Sequence, residues 1–204
     1  QIFSFLLKLS RASLVKTLVN DIGYNDTDRG TPILETFADW WLAENTATGL
    51  EEMPGTKADT SWYNETETTF VLTNAEQLLG FAELVNDGTD NFAGKTVKLG
   101  ADIKLNDVDE KTLANWIAGI DVADVEWSSI GTSGNPFAGT FDGQGYTISG
   151  LYLSSTTGYA GLFGKVAYPA EIKNFKLVDS YMKSTAANLG VIGEGTPKLI
   201  DSIY

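Results

Sequence analysis

This sequence predicts a mainly β fold: a right-handed parallel β-solenoid (a β-helix) with N-terminal helices and one helical insertion. Three observations carry the prediction. YTISGLYL, EIKNFKL and LIDSIY in the last third align through Ile148 and Leu151, Ile172 and Phe175, and Ile200 and Ile203. The GLFG run at 161–164 recurs as GVIG at 190–193. Clusters of Gly, Ser, Thr and Asn stand between such runs and close short strands. The matching isoleucines are 24 and 28 residues apart, so each unit reads as one turn of a wound chain. No single unit can bury its apolar face alone. Stacking the turns about 4.8 Å apart pairs each strand with its equivalent and fills the interior with Ile, Leu and Phe. The usual hand of parallel crossovers makes the winding right-handed.

Composition narrows what such a fold can do. With 204 residues and 43% apolar content the chain can bury a full core. Its net charge of -13 repels phosphate backbones and anionic lipid, which disfavours nucleic acid and favours neutral or cationic partners. There is no cysteine, hence no disulfide and no thiolate metal site. There is no histidine either, which removes the commonest general base and the imidazole ligands of zinc enzymes. No cofactor and no metal site is expected. No segment approaches the roughly 18–20 continuous apolar residues of a membrane span, and the opening QIFSFLLKLSRASLV breaks at Lys8 and does not read as a signal peptide.

In chain order, Ile2, Phe5, Leu6, Leu9, Ala12, Val15, Leu18, Val19 and Ile22 fall at helical spacing before Gly23. This amphipathic helix, with Lys8, Arg11 and Lys16 on its polar positions, suits packing on its own domain; a membrane or partner surface is the alternative. NDTDRG looks like a calcium loop, but its acids miss the alternate positions an EF-hand requires. Thr31 and Pro32 read as N-cap and first helical residue of a short helix through Phe37, Trp40 and Trp41. Residues 45–69 are polar and aperiodic, and SWYNE within them offers Trp62 and Tyr63 either as a stacking platform for a sugar or as anchors of a loop to the core. Asn25 and Asn64 each begin an Asn-X-Thr triplet on such loops.

The clearest helix spans 74–86 in TNAEQLLGFAELVNDG. Thr73 and Glu76 are expected to form its capping box, and Leu78, Leu79, Ala82 and Val85 its buried face. KTVKLGADIKL then reads as two strands, DEKTLANWIAGI as the helical insertion, and WSSIGTSGNPFAGTFDG as tight loops between short strands. Residues 1–69 are therefore a helical and irregular segment, a cap or assembly arm, and 70–204 the solenoid domain. In the FDGQG corner the glycines are expected to supply positive φ, and Asp142 to cap the turn rather than to react.

The run FAGTFDGQGYTISGLYL, then GYAGLFGKV, EIKNFKL and NLGVIGEG, resembles the GLUG-motif repeats of large bacterial and archaeal surface proteins. The helix LTNAEQLLGFAELVN leading into KTVKLGADIKLN and WSSIG resembles the region that precedes those repeats, so the likeness covers about residues 70–204. It implies an extracellular, cell-surface protein associated with adhesion. Similar repeats accompany immunoglobulin-cleaving metallopeptidases, but their HExxH zinc helix has no counterpart in a chain without histidine.

The expected function is thus a non-catalytic extracellular module, for adhesion or for building a self-assembling surface layer or appendage. Its expected partners are a glycan, a matrix protein, or further copies of itself met through the N-terminal helix and the solenoid end at LIDSIY. The rival is a polysaccharide-acting β-helix enzyme using carboxylates such as Asp102, Asp142 and Glu171, which requires two of them roughly 5–9 Å apart in a groove.

Overall fold

The computed structural model describes residues 57–120, 123–155, 158–185 and 188–204. The helices expected over 2–22 and 31–41, the NDTDRG loop and Asn25 lie outside the described residues. The described chain runs β1 (Thr69–Leu72), α1 (Ala75–Asn86), β2 (Thr96–Leu99), β3 (Ile103–Lys104), α2 (Glu110–Ala118), β4 (Thr140–Asp142), β5 (Thr147–Ser149) and β6 (Tyr152–Ser155). It continues through β7 (Tyr159–Ala160), β8 (Phe163–Val166), β9 (Glu171–Val178), β10 (Tyr181–Ser184), β11 (Asn188–Leu189), β12 (Ile192–Gly195) and β13 (Leu199–Ile203). The fold is mainly β, with two helices among the described residues.

Every strand ladder among the described residues is parallel, so each strand pairs with another pass of the chain: β1 with β2 across helix α1, and β6, β7 and β8 with β10, β11 and β12. Strands β1, β2, β4, β9 and β13 lie side by side in that order. Tyr152 pairs with Tyr181, Tyr159 with Asn188 and Phe163 with Ile192, a constant offset shared by the Lys165 and Glu194 pair at 29 positions. The GLFG and GVIG runs therefore sit in register, as do Ile172 with Ile200 and Phe175 with Ile203. The alignment of Ile148 with Ile172 does not hold: Ile148 pairs with Leu177, and Ile172 with Phe141. The reason is the corner. Asn174 alone turns β9, with φ of 59°, whereas the equivalent corner between β4 and β5 holds the longer GQG insertion.

Within that corner positive φ falls on Gln144 (53°) and Gly145 (84°), not on Gly143. Tyr146 N–H donates to Gly143 O, which closes a turn of the type with two left-handed central residues. Gly143 is needed for a different reason, since a Cβ there would collide with Phe175 Cβ on the next layer. Gly161 is likewise held by close approach, to the Gly190 carbonyl.

The parallel registers stack side chains into columns. Phe70, Val97, Phe141 and Ile172 occupy equivalent positions on four successive strands, and all are buried. Each such side chain removed from water contributes about 1.5–3 kcal/mol. The column ends at Ile200, which is 52% exposed although its partner Ile172 is 0% exposed. Leu189 and Leu199 on the same last layer are also exposed.

Helix α1 covers the core from another side through Leu78, Phe81, Ala82, Leu84 and Val85. The Phe81 ring stacks on Phe141 at 6.1 Å and meets Phe137 and Phe92 edge-on. Its N-cap is Asn74, whose side chain accepts from Gln77 N–H, while the Gln77 side chain accepts from Thr73 N–H. The expected Thr73/Glu76 capping box is not formed: the cap falls one residue later, on Asn74, and the side chain that reaches back is Gln77, which accepts from the residue before the cap. Helix α2 is capped by Asp109, and Gly119 ends it in the left-handed conformation. Neither helix is long and apolar enough to cross a membrane.

Candidate functional site

The acids that sequence reading offered as catalytic groups are each engaged in structure. Asp142 Oδ1 accepts from Gln144 N–H at 3.0 Å and from Asn174 Nδ2 at 3.1 Å, so it braces one corner against the next. Burial alone would raise its pKa; these hydrogen bonds, with Lys173 nearby, outweigh that and hold it below the ordinary carboxylate range. Asp102 accepts from Thr147 N–H at 2.8 Å. Glu171 lies between Lys198 and Lys173, and the Lys198 hydrogen bond chiefly lowers its pKa.

Trp62 and Tyr63 are half-buried and pack against the core cluster. Trp62 meets Phe70 at 5.3 Å and donates through Nε1 to Asp59 O, and Tyr63 stacks on Phe70 at 5.6 Å. Residues 57–68, which sequence reading placed with the N-terminal segment, thereby pin themselves to the β core. Asn64 lies exposed at this loop's tip, its Oδ1 accepting from Thr66 N–H and Oγ1.

Tyr63 OH donates to Asp90 Oδ2, which also receives Lys95 Nζ at 2.5 Å, while Phe92 N–H donates to Asp90 Oδ1. Burial pushes the Asp90 pKa up, but Lys95, Tyr63 and Phe92 together hold it below the usual value. A depressed carboxylate contributes stability that is present above its unfolded pKa of about 3.9 and lost as pH falls through the folded value. Asp90→Asn is therefore expected to lower stability at pH 7 by about 2 kcal/mol. In urea melts the gap from the native protein should narrow as pH drops below about 4. A gap that stays constant down to pH 2 would remove the carboxylate from the account.

A concavity of the described residues lies elsewhere. Ser128–Gly134 form one wall and Leu153–Ser155 with Gly158 and Tyr159 the other, around a cavity of about 910 Å³. Its origin is a mismatch in turn length. Glu126 pairs with Tyr152 and Ile130 with Phe163, so one layer covers in four steps what the next covers in eleven. The two runs differ in length between the same pairing points, and described residues of both line the open groove. The following layer repeats the long path in register, so the mismatch occurs between these two layers. Asn86 at the end of α1 fastens the short layer: Nδ2 donates to Ser129 O, and Oδ1 accepts from Gly131 N–H.

Several lining groups serve the fold. Ser129 Oγ accepts from Gly161 N–H and Thr132 Oγ1 from Asn135 N–H. Ser128, Ser133, Ser154 and Glu126 are exposed on the groove. Lys165 Nζ lies 4.8 Å from the Tyr159 ring centroid. Lys165 pairs in turn with Glu194, which raises the lysine pKa and lowers the glutamate's. A second hollow shares Asn86, Glu126 and Ser128 and adds Glu83 and Asp87. Among the described residues no three His, Cys, Asp or Glu side chains converge as a metal site.

Sequence reading missed this groove because it did not count WSSIG as a repeat. Ile130-Gly131 stands in register with Phe163-Gly164, and that pair with Ile192-Gly193. Aligning WSSIG with GLFG would have exposed the missing residues.

No family model matches the chain, and no solved structure matches it. Over 78 residues, 38% of this chain, it is 32% identical to a protein of Evansella cellulosilytica described as a Gly-rich membrane protein, of which the stretch is 8%. Over 77 residues, 36% of the chain, it is 35% identical to halomucin of Haloquadratum walsbyi, of which the stretch is 1%. The chain is thus similar, over somewhat more than a third of its length, to small portions of two far longer proteins.

Proposed function

We propose that this chain is a non-catalytic module of an extracellular surface protein, built as a right-handed β-solenoid of the GLUG-repeat kind. The observation that carries the reading is the constant parallel register from β6–β8 to β10–β12, in which GLFG lies over GVIG. Such stacking makes a rigid element whose length grows turn by turn and whose lateral faces are open to partners. The relatives support the location, one being described as a membrane protein and the other as halomucin. The engaged states of Asp102, Asp142 and Glu171 support a presenting or structural role over hydrolysis.

Within this reading the module serves adhesion through a lateral face, or construction through its exposed last layer. Ile200, Leu189 and the edge of β13 fit a further parallel strand, from more turns of the same repeat or from a second copy. Two measurements test it. Protease treatment of intact source cells is expected to digest the module without lysis; full protection would defeat the surface location. Light scattering of the purified chain over a hundredfold concentration range is expected to show rising mass that Ile200→Glu suppresses. A constant monomer would leave adhesion as the surviving role. Polymers unchanged by deletion of residues 1–22 would remove that segment from the contact.

A further inference from the structure

We infer that Asn64 is an N-glycosylation site, its side-chain amide the acceptor of a preassembled oligosaccharide. The inference deepens the extracellular reading proposed above and rests on it for export, since this modification belongs to surface loops of exported chains. Three observations meet at the residue. Asn64-Glu65-Thr66 is the acceptor triplet, with glutamate rather than proline in the middle. Residues 64–69 are exposed without a break, while Trp62 and Tyr63 before them and Phe70 after them are held at the core cluster. The triplet is thus the tip of a loop anchored at both ends, where a bulky solvated chain displaces no packing.

The third observation is the state of the amide. Thr66 N–H and Thr66 Oγ1 both donate to Asn64 Oδ1, at 3.1 and 2.9 Å, and Glu67 N–H closes a turn onto Asn64 O at 3.0 Å. Two donors on the oxygen fix the amide plane and draw electron density from its nitrogen, which makes an Nδ2 proton easier to lose. Among the described residues Nδ2 itself makes no hydrogen bond. The asparagines that brace the fold behave in the opposite way. Asn86, Asn106, Asn135 and Asn174 each donate through Nδ2 to a backbone or carboxylate oxygen, and none of them begins an acceptor triplet.

The reaction is a substitution at the anomeric carbon of a lipid-linked oligosaccharide phosphate or pyrophosphate, delivered by a membrane transferase. The bond from Asn64 Nδ2 to that carbon forms, and the carbon–oxygen bond to phosphate breaks with its electron pair going to the phosphate oxygen. One Nδ2 proton leaves to a base of the transferase, and nothing is oxidised or reduced. Tyr63 beside the site stacks on Phe70 of β1, the strand farthest from β13 in the sheet, so the glycan leaves the exposed last layer free.

The test is mass spectrometry of the protein isolated from its source cells, digested and fragmented so that both sugar and backbone bonds are read. The peptide carrying Asn64 is expected to hold an oligosaccharide mass localised to that residue. Asn64→Gln and Thr66→Ala, expressed in the same cells, should lose it, and Thr66→Ser, which keeps the hydroxyl, should retain it. The measurement on the native protein needs no variant, so a variant that does not fold leaves it standing. An Asn64 peptide found only at its bare mass, sugar on Thr66 in place of Asn64, or a modification that survives Thr66→Ala would each overturn the inference. Bare Asn64 on a protein that protease removes from intact cells defeats this inference and spares the surface location. Glycosylated Asn64 on a protein fully protected in intact cells does the reverse.

Discussion

Phe141→Ala is expected to be the most damaging single truncation in the stacked core, costing about 3–5 kcal/mol. Phe141 is 0% exposed, and its ring meets Phe81 of α1 at 6.1 Å, Phe163 at 5.3 Å and Phe175 at 5.5 Å. It therefore joins the helix to two strand layers, and the void left by its removal cannot close without moving all three. The parallel column supplies an internal control. Ile200 continues that column through Ile172 but is 52% exposed, so Ile200→Ala should cost less than about 1 kcal/mol. For a protein of this size the phenylalanine change corresponds to a fall in Tm on the order of 10 °C. Thermal melts of the two variants check the contrast, and comparable losses would mean that position in the column does not govern burial energy.

Asn106→Leu is expected to cost about 3–5 kcal/mol although leucine fills a similar volume. Asn106 is the buried polar side chain among the described residues, with Nδ2 donating to Val125 O at 2.9 Å and Gly150 O at 2.7 Å, and Oδ1 accepting from Val125 N–H at 2.9 Å. It replaces strand pairing where the chain returns from the α2 insertion. Leucine would strand one buried N–H and two buried carbonyls, each carrying its own desolvation cost of about 1–3 kcal/mol. Asn106→Asp separates hydrogen bonding from packing. Its carboxylate would keep the bond from Val125 N–H but face two carbonyl oxygens in a buried site, which raises its folded pKa. A raised folded pKa means that stability is greatest below the unfolded value near 3.9 and is lost as pH rises through the folded one. Urea midpoints of this variant should thus improve relative to the native protein between pH 7 and pH 4. An unchanged difference would show that the site is more solvated than its burial indicates.

Much of the architecture was legible from residue patterns. Helix α1 announced itself through the spacing of Leu78, Ala82 and Val85, and α2 through its periodic insertion between strands. The GLFG and GVIG runs gave the register of β8 on β12. What misled was equivalence at the corners. Ile148 and Ile172 resemble each other in sequence, yet GQG makes the first corner longer than the Asn174 bend, and hydrogen bonding in parallel strands follows the strand edge rather than the nearest similar residue. The choice of Asn74 over Thr73 as N-cap was equally local and equally hidden, because adjacent residues offered the same chemistry.

By itself the sequence determined the mainly β class, the two helices of the described region, the repeat that stacks the last turns, and the absence of imidazole and thiolate chemistry. Those properties follow from periodicity and composition, which are read along the chain. Tertiary structure decided that Asp142 braces a corner, that Trp62 and Tyr63 turn inward, and that Ser128, Ser154 and Tyr159 line one groove. The groove arises from the difference between a four-step and an eleven-step turn on neighbouring layers. Such a difference has no meaning until the layers are stacked in register, because only the parallel hydrogen bonds fix which residues of one turn lie over which residues of the next.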